Sequence, residues 1–326
     1  MRLPPLLKVT SPSFSKNESL VMDVAELPLR TVLNSLGERF EGAALARYLA
    51  DADAAIVGLE KITGELLDSC PKLQLVAKYG VGLDNVDLQA CEERGVTVGW
   101  TPGVNRYAVA EQTVGCLIGL SRNLFFATRK LRDGMWDKVG GRQISELTVG
   151  IVGLGQVGRE LVRLLKPFGC RILANDIADI SDFCASSGVT EVGLEDLLRQ
   201  SDAVSLHVPL TSETRHLINA DALSRMRRTA YLINTSRGDV VDQTALKHAL
   251  RAGTIAGAAI DVYAVEPPND LDFLRLPNLV CTPHIAGNSA EAVVAMGRSA
   301  ICHVKEFYGL HGNTLRPDPL AVKVAA

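Results

Sequence analysis

Short apolar runs rich in Val, Ile, Leu and Ala alternate along this chain with longer segments whose apolar residues recur at helical spacing. These runs read as strands, and their alternation with helices predicts parallel sheets. In the first part, residues 7–10, 54–57, 73–79 and 96–101 are expected strands. Thr63 is placed to cap a helix before Leu66 and Leu67, and Asp87 another that ends at Gly95. Residues 108–124 form a long apolar stretch after the turn Thr101-Pro102-Gly103, with Asn105 as its cap. Its apolar residues are not confined to one face, which predicts a buried helix, and Gly115 and Gly119 would allow close packing.

From Thr148 the alternation becomes more regular. Expected strands are 148–152, 171–175, 203–208, 230–235, 256–262 and 279–282, with helices at 156–165, 221–227 and 243–251, a six-strand doubly wound pattern. A last helix is expected over about residues 290–308, followed by a polar, proline-containing tail. The two crossings between domains are placed at the Thr101-Pro102-Gly103 turn and at Gly287-Asn288.

The 326 residues suffice for two domains, with 47% hydrophobic and 22% charged residues, a globular balance. A net charge of −3 without a basic block argues against nucleic acid as the main partner. The apolar run at the N-terminus is too short for a signal peptide, and no stretch is long enough to span a membrane. Seven scattered cysteines without a Cys-x-x-Cys pair point to a reducing, cytoplasmic compartment and to no structural metal or disulfide framework.

Candidate chemistry begins where the strand Val149-Gly150-Ile151-Val152 runs into Gly153-Leu154-Gly155-Gln156-Val157-Gly158. Gly153 permits the tight turn, Gly155 the approach of a pyrophosphate and Gly158 the close packing of the helix, whose N-terminus offers N–H groups to phosphate. Asp176, at the end of the next strand, is placed to hydrogen-bond ribose hydroxyls. No arginine follows to receive a 2′-phosphate, which favours NAD over NADP.

Three later segments carry one arginine, one glutamate and one histidine: Asn234-Thr235-Ser236-Arg237-Gly238, Val265-Glu266-Pro267 and Pro283-His284-Ile285-Ala286-Gly287. Arg237 can hold a carboxylate and polarise the adjacent carbonyl. His284 can exchange the hydroxyl proton, and Glu266 can orient it and favour its imidazolium. A second glycine loop, Lys78-Tyr79-Gly80-Val81-Gly82-Leu83-Asp84-Asn85, reads either as an anion nest for a substrate carboxylate or as a tight turn requiring positive φ. His216, His248, His303 and His311 read as surface residues. The charges over 122–138 read as a solvated face or part of a dimer arm, with Trp136 in packing or an interface.

Together these motifs resemble the D-isomer-specific 2-hydroxyacid dehydrogenase family, and most nearly its phosphoglycerate-dehydrogenase-like branch. The resemblance spans almost the whole chain and includes Ala108-Val109-Ala110-Glu111 and His207-Val208-Pro209-Leu210-Thr211. It implies an α/β protein of two doubly wound parallel-sheet domains. A Rossmann cofactor domain (103–288) would be inserted into a flavodoxin-like substrate domain (1–102 and 289–326), with cleft closure during turnover and dimerisation through the cofactor domains. The implied activity is NAD-dependent interconversion of a D-2-hydroxy acid and its 2-oxo acid, 3-phosphoglycerate and glyoxylate or hydroxypyruvate among the candidates. The alternative is an NAD(H)-sensing binding protein of the same fold. By motif position Thr113, His207, Val208, Pro209, Thr214, Thr235, Ser236, Asp261, His284 and Ala286 would touch the cofactor, Asp261 facing the carboxamide, and Lys78 to Gly82 with Arg237 would touch substrate. Lys78 stands where the family often has arginine, and a lysine is a point charge rather than a bidentate fork.

Overall fold

A computed structural model describes residues 3–310. The chain divides into two compact units, one of the residues up to Asn105 together with those from Asn288 on, the other Arg106–Gly287. The turn at Thr101 belongs with the first unit, because the Thr101 hydroxyl lies 2.8 Å from His303 Nε2 and accepts from Ser299 Oγ at 2.9 Å, both on the last helix.

The first unit holds five parallel strands, β1 (Leu6–Val9), β2 (Arg30–Leu33), β3 (Ala54–Val57), β4 (Leu75–Lys78) and β5 (Thr97–Gly99), in the order β2-β1-β3-β4-β5. This is the flavodoxin-like order. β3 and β4 are buried at every position, which is why their sequences carry no alternation. β2 is an edge strand with exposed Arg30 and Val32, and its mixed sequence gave no apolar run to predict it from. Thr63 and Asp87 do cap helices, accepting from the N–H groups of Leu66 and Ala90, contacts worth about 1 kcal/mol each. The last helix, Ala290–Phe307, buries Ala292, Met296, Gly297, Ala300, Ile301 and Val304 along one face. A β-carbon on Gly297 would strike the Leu20 side chain, so this glycine sets the approach of the helix Glu18–Ala25.

The second unit holds seven parallel strands: β6 (Thr148–Val152), β7 (Arg171–Asn175), β8 (Thr190–Glu191), β9 (Ala203–Leu206), β10 (Tyr231–Asn234), β11 (Gly257–Ile260) and β12 (Leu279–Cys281). Their order, β12-β11-β10-β9-β6-β7-β8, places the switch point between β6 and β9. The six expected strands form. The seventh, β8, is a two-residue exposed edge strand with no apolar run to announce it. In an open sheet of this kind ligands collect beyond the carboxyl ends of the strands at the switch point.

The expected single helix over 108–124 is corrected to two. Arg106–Ser121 is buried on several sides, as its apolar pattern predicts. The chain then breaks at Asn123, whose φ of 57° is left-handed, and resumes as Leu124–Arg132 with no buried residue. Gly119 explains the reversal: the Phe125 ring occupies the space a β-carbon would need, whereas Gly115 faces nothing within 4 Å. His303 is corrected as well; it is half-buried between Thr101 and Glu306, while His216 and His248 are exposed and His311 lies outside the described residues. Among the described residues no helix is long and apolar enough to cross a membrane.

Candidate active site

The glycine loop leaves β6 as its spacing requires. Gly153 has φ 93°, and a β-carbon there would come within 2.8 Å of the His207 backbone at the end of β9. Gly158 packs so closely on the Gly153 carbonyl that any side chain would collide with it. Gly155 faces nothing within 4 Å, so the backbone at the start of the helix Gln156–Leu165 is open to the approach of a phosphate. Asp176, just past β7, accepts from the Leu154 N–H at 2.6 Å and the Ala178 N–H at 3.0 Å, which fixes its carboxylate beside the loop. These residues fit a dinucleotide.

The other expected cofactor residues gather in part. Thr113 donates to the Val109 carbonyl at 2.8 Å, so Thr235, 3.1 Å from its hydroxyl, must donate to it. Thr214 donates to the Pro209 carbonyl at 2.6 Å and closes the loop after β9. The His207 ring lies 2.8 Å from Ser205 Oγ, and burial pushes its pKa down to about 4, so it stays neutral. Its backbone lies against Gly153 of the glycine loop.

Arg237, Glu266 and His284 follow β10, β11 and β12 and so share one edge of the sheet. Arg237 is presented by an Asn234 turn: the Asn234 side chain accepts from the Ser236 N–H at 3.0 Å and donates to the Arg237 carbonyl at 2.9 Å. Gly238 then packs on the Tyr263 carbonyl with no room for a side chain, bringing the arginine segment against the loop that carries Glu266. Glu266 accepts from the Tyr263 N–H at 3.0 Å through Oε1 and from His284 Nδ1 at 2.7 Å through Oε2.

The charges follow from these contacts. Burial raises the Glu266 carboxyl, but the hydrogen bonds from His284 and Tyr263 and the Arg237 charge outweigh it and hold it below the ordinary range. The bond to Glu266 raises His284 above the ordinary imidazole value against the effect of burial.

Two groups at this edge escape a reading by motif. Thr282 Oγ1 donates to Asp261 at 2.6 Å, and Gln112 donates to both at 3.2 and 3.1 Å. Gln112 lies beside Thr113 on a helix whose apolar pattern signals packing only, and its reach to β11 is a tertiary fact.

The second glycine loop belongs to the other unit. Gly80 adopts φ 141°, and Trp100 pins the loop by donating to the Val81 carbonyl at 2.8 Å. Lys78 is buried, and its ammonium donates to the Gly58 carbonyl and, at 2.6 Å, to Asn85 Oδ1. It therefore ties two loops together beyond β3 and β4. The Tyr79 hydroxyl pairs with Ser13 at 3.1 Å.

A family model described as D-isomer specific 2-hydroxyacid dehydrogenase, NAD binding domain, matches residues 114–286. The chain is similar to a glyoxylate reductase of Thermofilum pendens, 42% identical over 267 residues that make up 78% of each protein. It is also similar to a hydroxypyruvate reductase of Thermotoga maritima, 34% identical over 295 residues, 89% of this chain and 94% of that protein. Among solved structures, a D-lactate dehydrogenase from Aquifex aeolicus complexed with NAD and lactic acid superposes with a TM-score of 0.82 at 28% identity, covering 93% of this chain and 95% of the other. With its two parallel sheets and its NAD-binding glycine loop, the chain belongs to the D-isomer specific 2-hydroxyacid dehydrogenase family.

Proposed function

We propose that the protein is an NAD-dependent reductase of small 2-oxo acids, glyoxylate or hydroxypyruvate foremost, with His284 as proton carrier, Glu266 as its orienting partner and Arg237 as the carboxylate-binding group. The observation that carries this reading is the 2.7 Å bond between His284 Nδ1 and Glu266. The names of the relatives support the substrate class. NAD(H), when bound, supplies the hydride acceptor or donor. Glu266 stays ionised and holds the imidazole in one orientation. In reduction His284 carries a proton at Nε2 and delivers it to the oxygen of the new hydroxyl; in oxidation the neutral ring takes that proton back. Arg237 supplies a guanidinium. Its planar fork suits a carboxylate and draws electron density from the neighbouring carbonyl.

The protein is further read as a homodimer. Support comes from the helix Leu124–Arg132 and the segment after it, where Leu124, Phe125, Leu131, Met135, Trp136 and Val139 are all exposed. Such a patch marks an interaction surface. Seven free cysteines support a reducing compartment, the cytoplasm.

The test is loss of NADH absorbance with glyoxylate, hydroxypyruvate, phosphohydroxypyruvate and larger 2-oxo acids, wild type beside His284→Ala. Turnover with the small acids is expected, and a loss on the order of 100- to 10,000-fold in the variant with NADH affinity retained. Wild-type turnover in the variant would remove His284 from the reaction. NADH binding without turnover of any acid would favour an NAD(H)-sensing protein.

A further inference from the structure

Asp261, just past β11, is 2% exposed, and its carboxylate receives four hydrogen bonds from the protein. Oδ1 accepts from Gln112 Nε2 at 3.1 Å, Thr282 Oγ1 at 2.6 Å and the Ile285 N–H at 3.0 Å, and Oδ2 accepts from the Ala286 N–H at 2.9 Å. The Asp261 carbonyl also accepts from the His284 N–H at 2.8 Å. One residue thus holds three successive residues of the turn that carries the imidazole.

That turn needs holding. His284 has φ 54°, a left-handed conformation that is strained for a non-glycine residue and persists only where its surroundings over-determine it. Thr282, Ile285 and Ala286 come from the same segment as His284. Gln112 comes from outside the sheet, on the helix Arg106–Ser121, and its amide nitrogen is shared between Asp261 and Thr282 Oγ1, 3.2 Å away.

We propose that Gln112 is a positioning residue for His284: its amide clamps Asp261 to Thr282 and so fixes the turn that sets the imidazole against Glu266. The inference rests on the reading of His284 as proton carrier. Among the charged groups acting on His284, Glu266 and Asp261 favour its protonated form and Arg237 opposes it. Gln112 adds no charge, so it acts through geometry.

Two substitutions separate the clamp from simple packing. Gln112→Met keeps the length of the side chain and removes the donor. Gln112→Glu keeps the length and makes donation depend on pH, because a carboxyl donates only while protonated. Placed against the Asp261 carboxylate, the introduced carboxyl holds its proton at acid pH and becomes a repelling anion as pH rises.

The experiment is steady-state NADH-dependent reduction of glyoxylate by the full chain from about pH 5 to about pH 9. Wild type, Q112M, Q112E and H284A are compared, and NADH affinity is read by fluorescence. The expected result is a loss in kcat of about tenfold for Q112M with NADH affinity near wild type. Q112E is expected to fall to the level of Q112M or below it at alkaline pH and to recover toward wild type as pH falls. A Q112M variant with wild-type kcat, or a Q112E deficit equal at every pH, overturns the clamp. If Q112M fails to fold, Q112E at acid pH carries the test by its recovery. Wild-type turnover in H284A would instead remove the proton-carrier reading, a result distinct from failure of the clamp.

Discussion

His284 Nδ1 lies 2.7 Å from Glu266 Oε2, and this bond orients the imidazole and is the strongest influence on its charge. The carboxylate favours the imidazolium, so His284 keeps its proton to a pH above its ordinary value. On the proposed role of His284 as proton carrier, reduction should hold up to the raised pKa and decline above it. Oxidation, which needs the neutral ring, should rise through the same pH.

Glu266→Gln removes the charge and keeps the shape. The His284 pKa should fall, and both limbs should move toward acid. Reduction at the alkaline end should lose on the order of tenfold or more, with NADH affinity little changed. Profiles of kcat/KM against pH in the two directions test this, and limbs that stay in place would mean that Glu266 does not govern the proton on His284.

Asp176 is held beside the glycine loop by the Leu154 N–H at 2.6 Å. Asp176→Ala leaves that N–H without its partner and removes the charge that opposes a 2′-phosphate. NADH affinity should weaken by about tenfold, that for NADPH by less, and the preference should narrow. Titration with both cofactors gives the ratio; an unchanged ratio would contradict the ribose role.

The glycine turn and the buried strands were legible because local chemistry leaves a mark there. Gly153 and Gly158 are demanded by backbone contacts that no other residue tolerates. Strands such as 54–57 and 148–152 are buried on both faces and so appear as unbroken apolar runs. β2 and β8 stayed hidden because edge strands need no such run. Asn123 stayed hidden because a left-handed break between two helices depends on Gly119 yielding its space to Phe125, a contact made only after folding. The donors on Asp261 were illegible for the same reason: Gln112 meets it across 149 positions of sequence.

Gly238 separates Arg237 from the loop bearing Glu266, and a β-carbon there would collide with the Tyr263 carbonyl and the Ala264 nitrogen. Both are backbone atoms, so relief requires that one segment move. Gly238→Ala should cost about 1–3 kcal/mol of stability, as overpacking does, and should lower kcat/KM beyond what the remaining folded fraction explains. Thermal melting with kinetics on the folded protein separates the two effects. Wild-type values in both would show that the segments tolerate more separation than their packing implies.

The helix Leu124–Arg132 buries none of its residues, and Leu131 and Trp136 are 57% and 79% exposed. Surface substitutions there should change the stability of the isolated fold by no more than about 0.5 kcal/mol. In a two-fold dimer each residue is buried twice, and each large apolar side chain is worth about 1.5–3 kcal/mol on burial. The double substitution Leu131→Glu with Trp136→Glu therefore removes four such contributions and sets like charges against one another. Sedimentation velocity should show wild type as a dimer and the variant as a folded monomer. A variant that sediments with wild type as a dimer would place the interface elsewhere, and a monomeric wild type would refute the dimer itself.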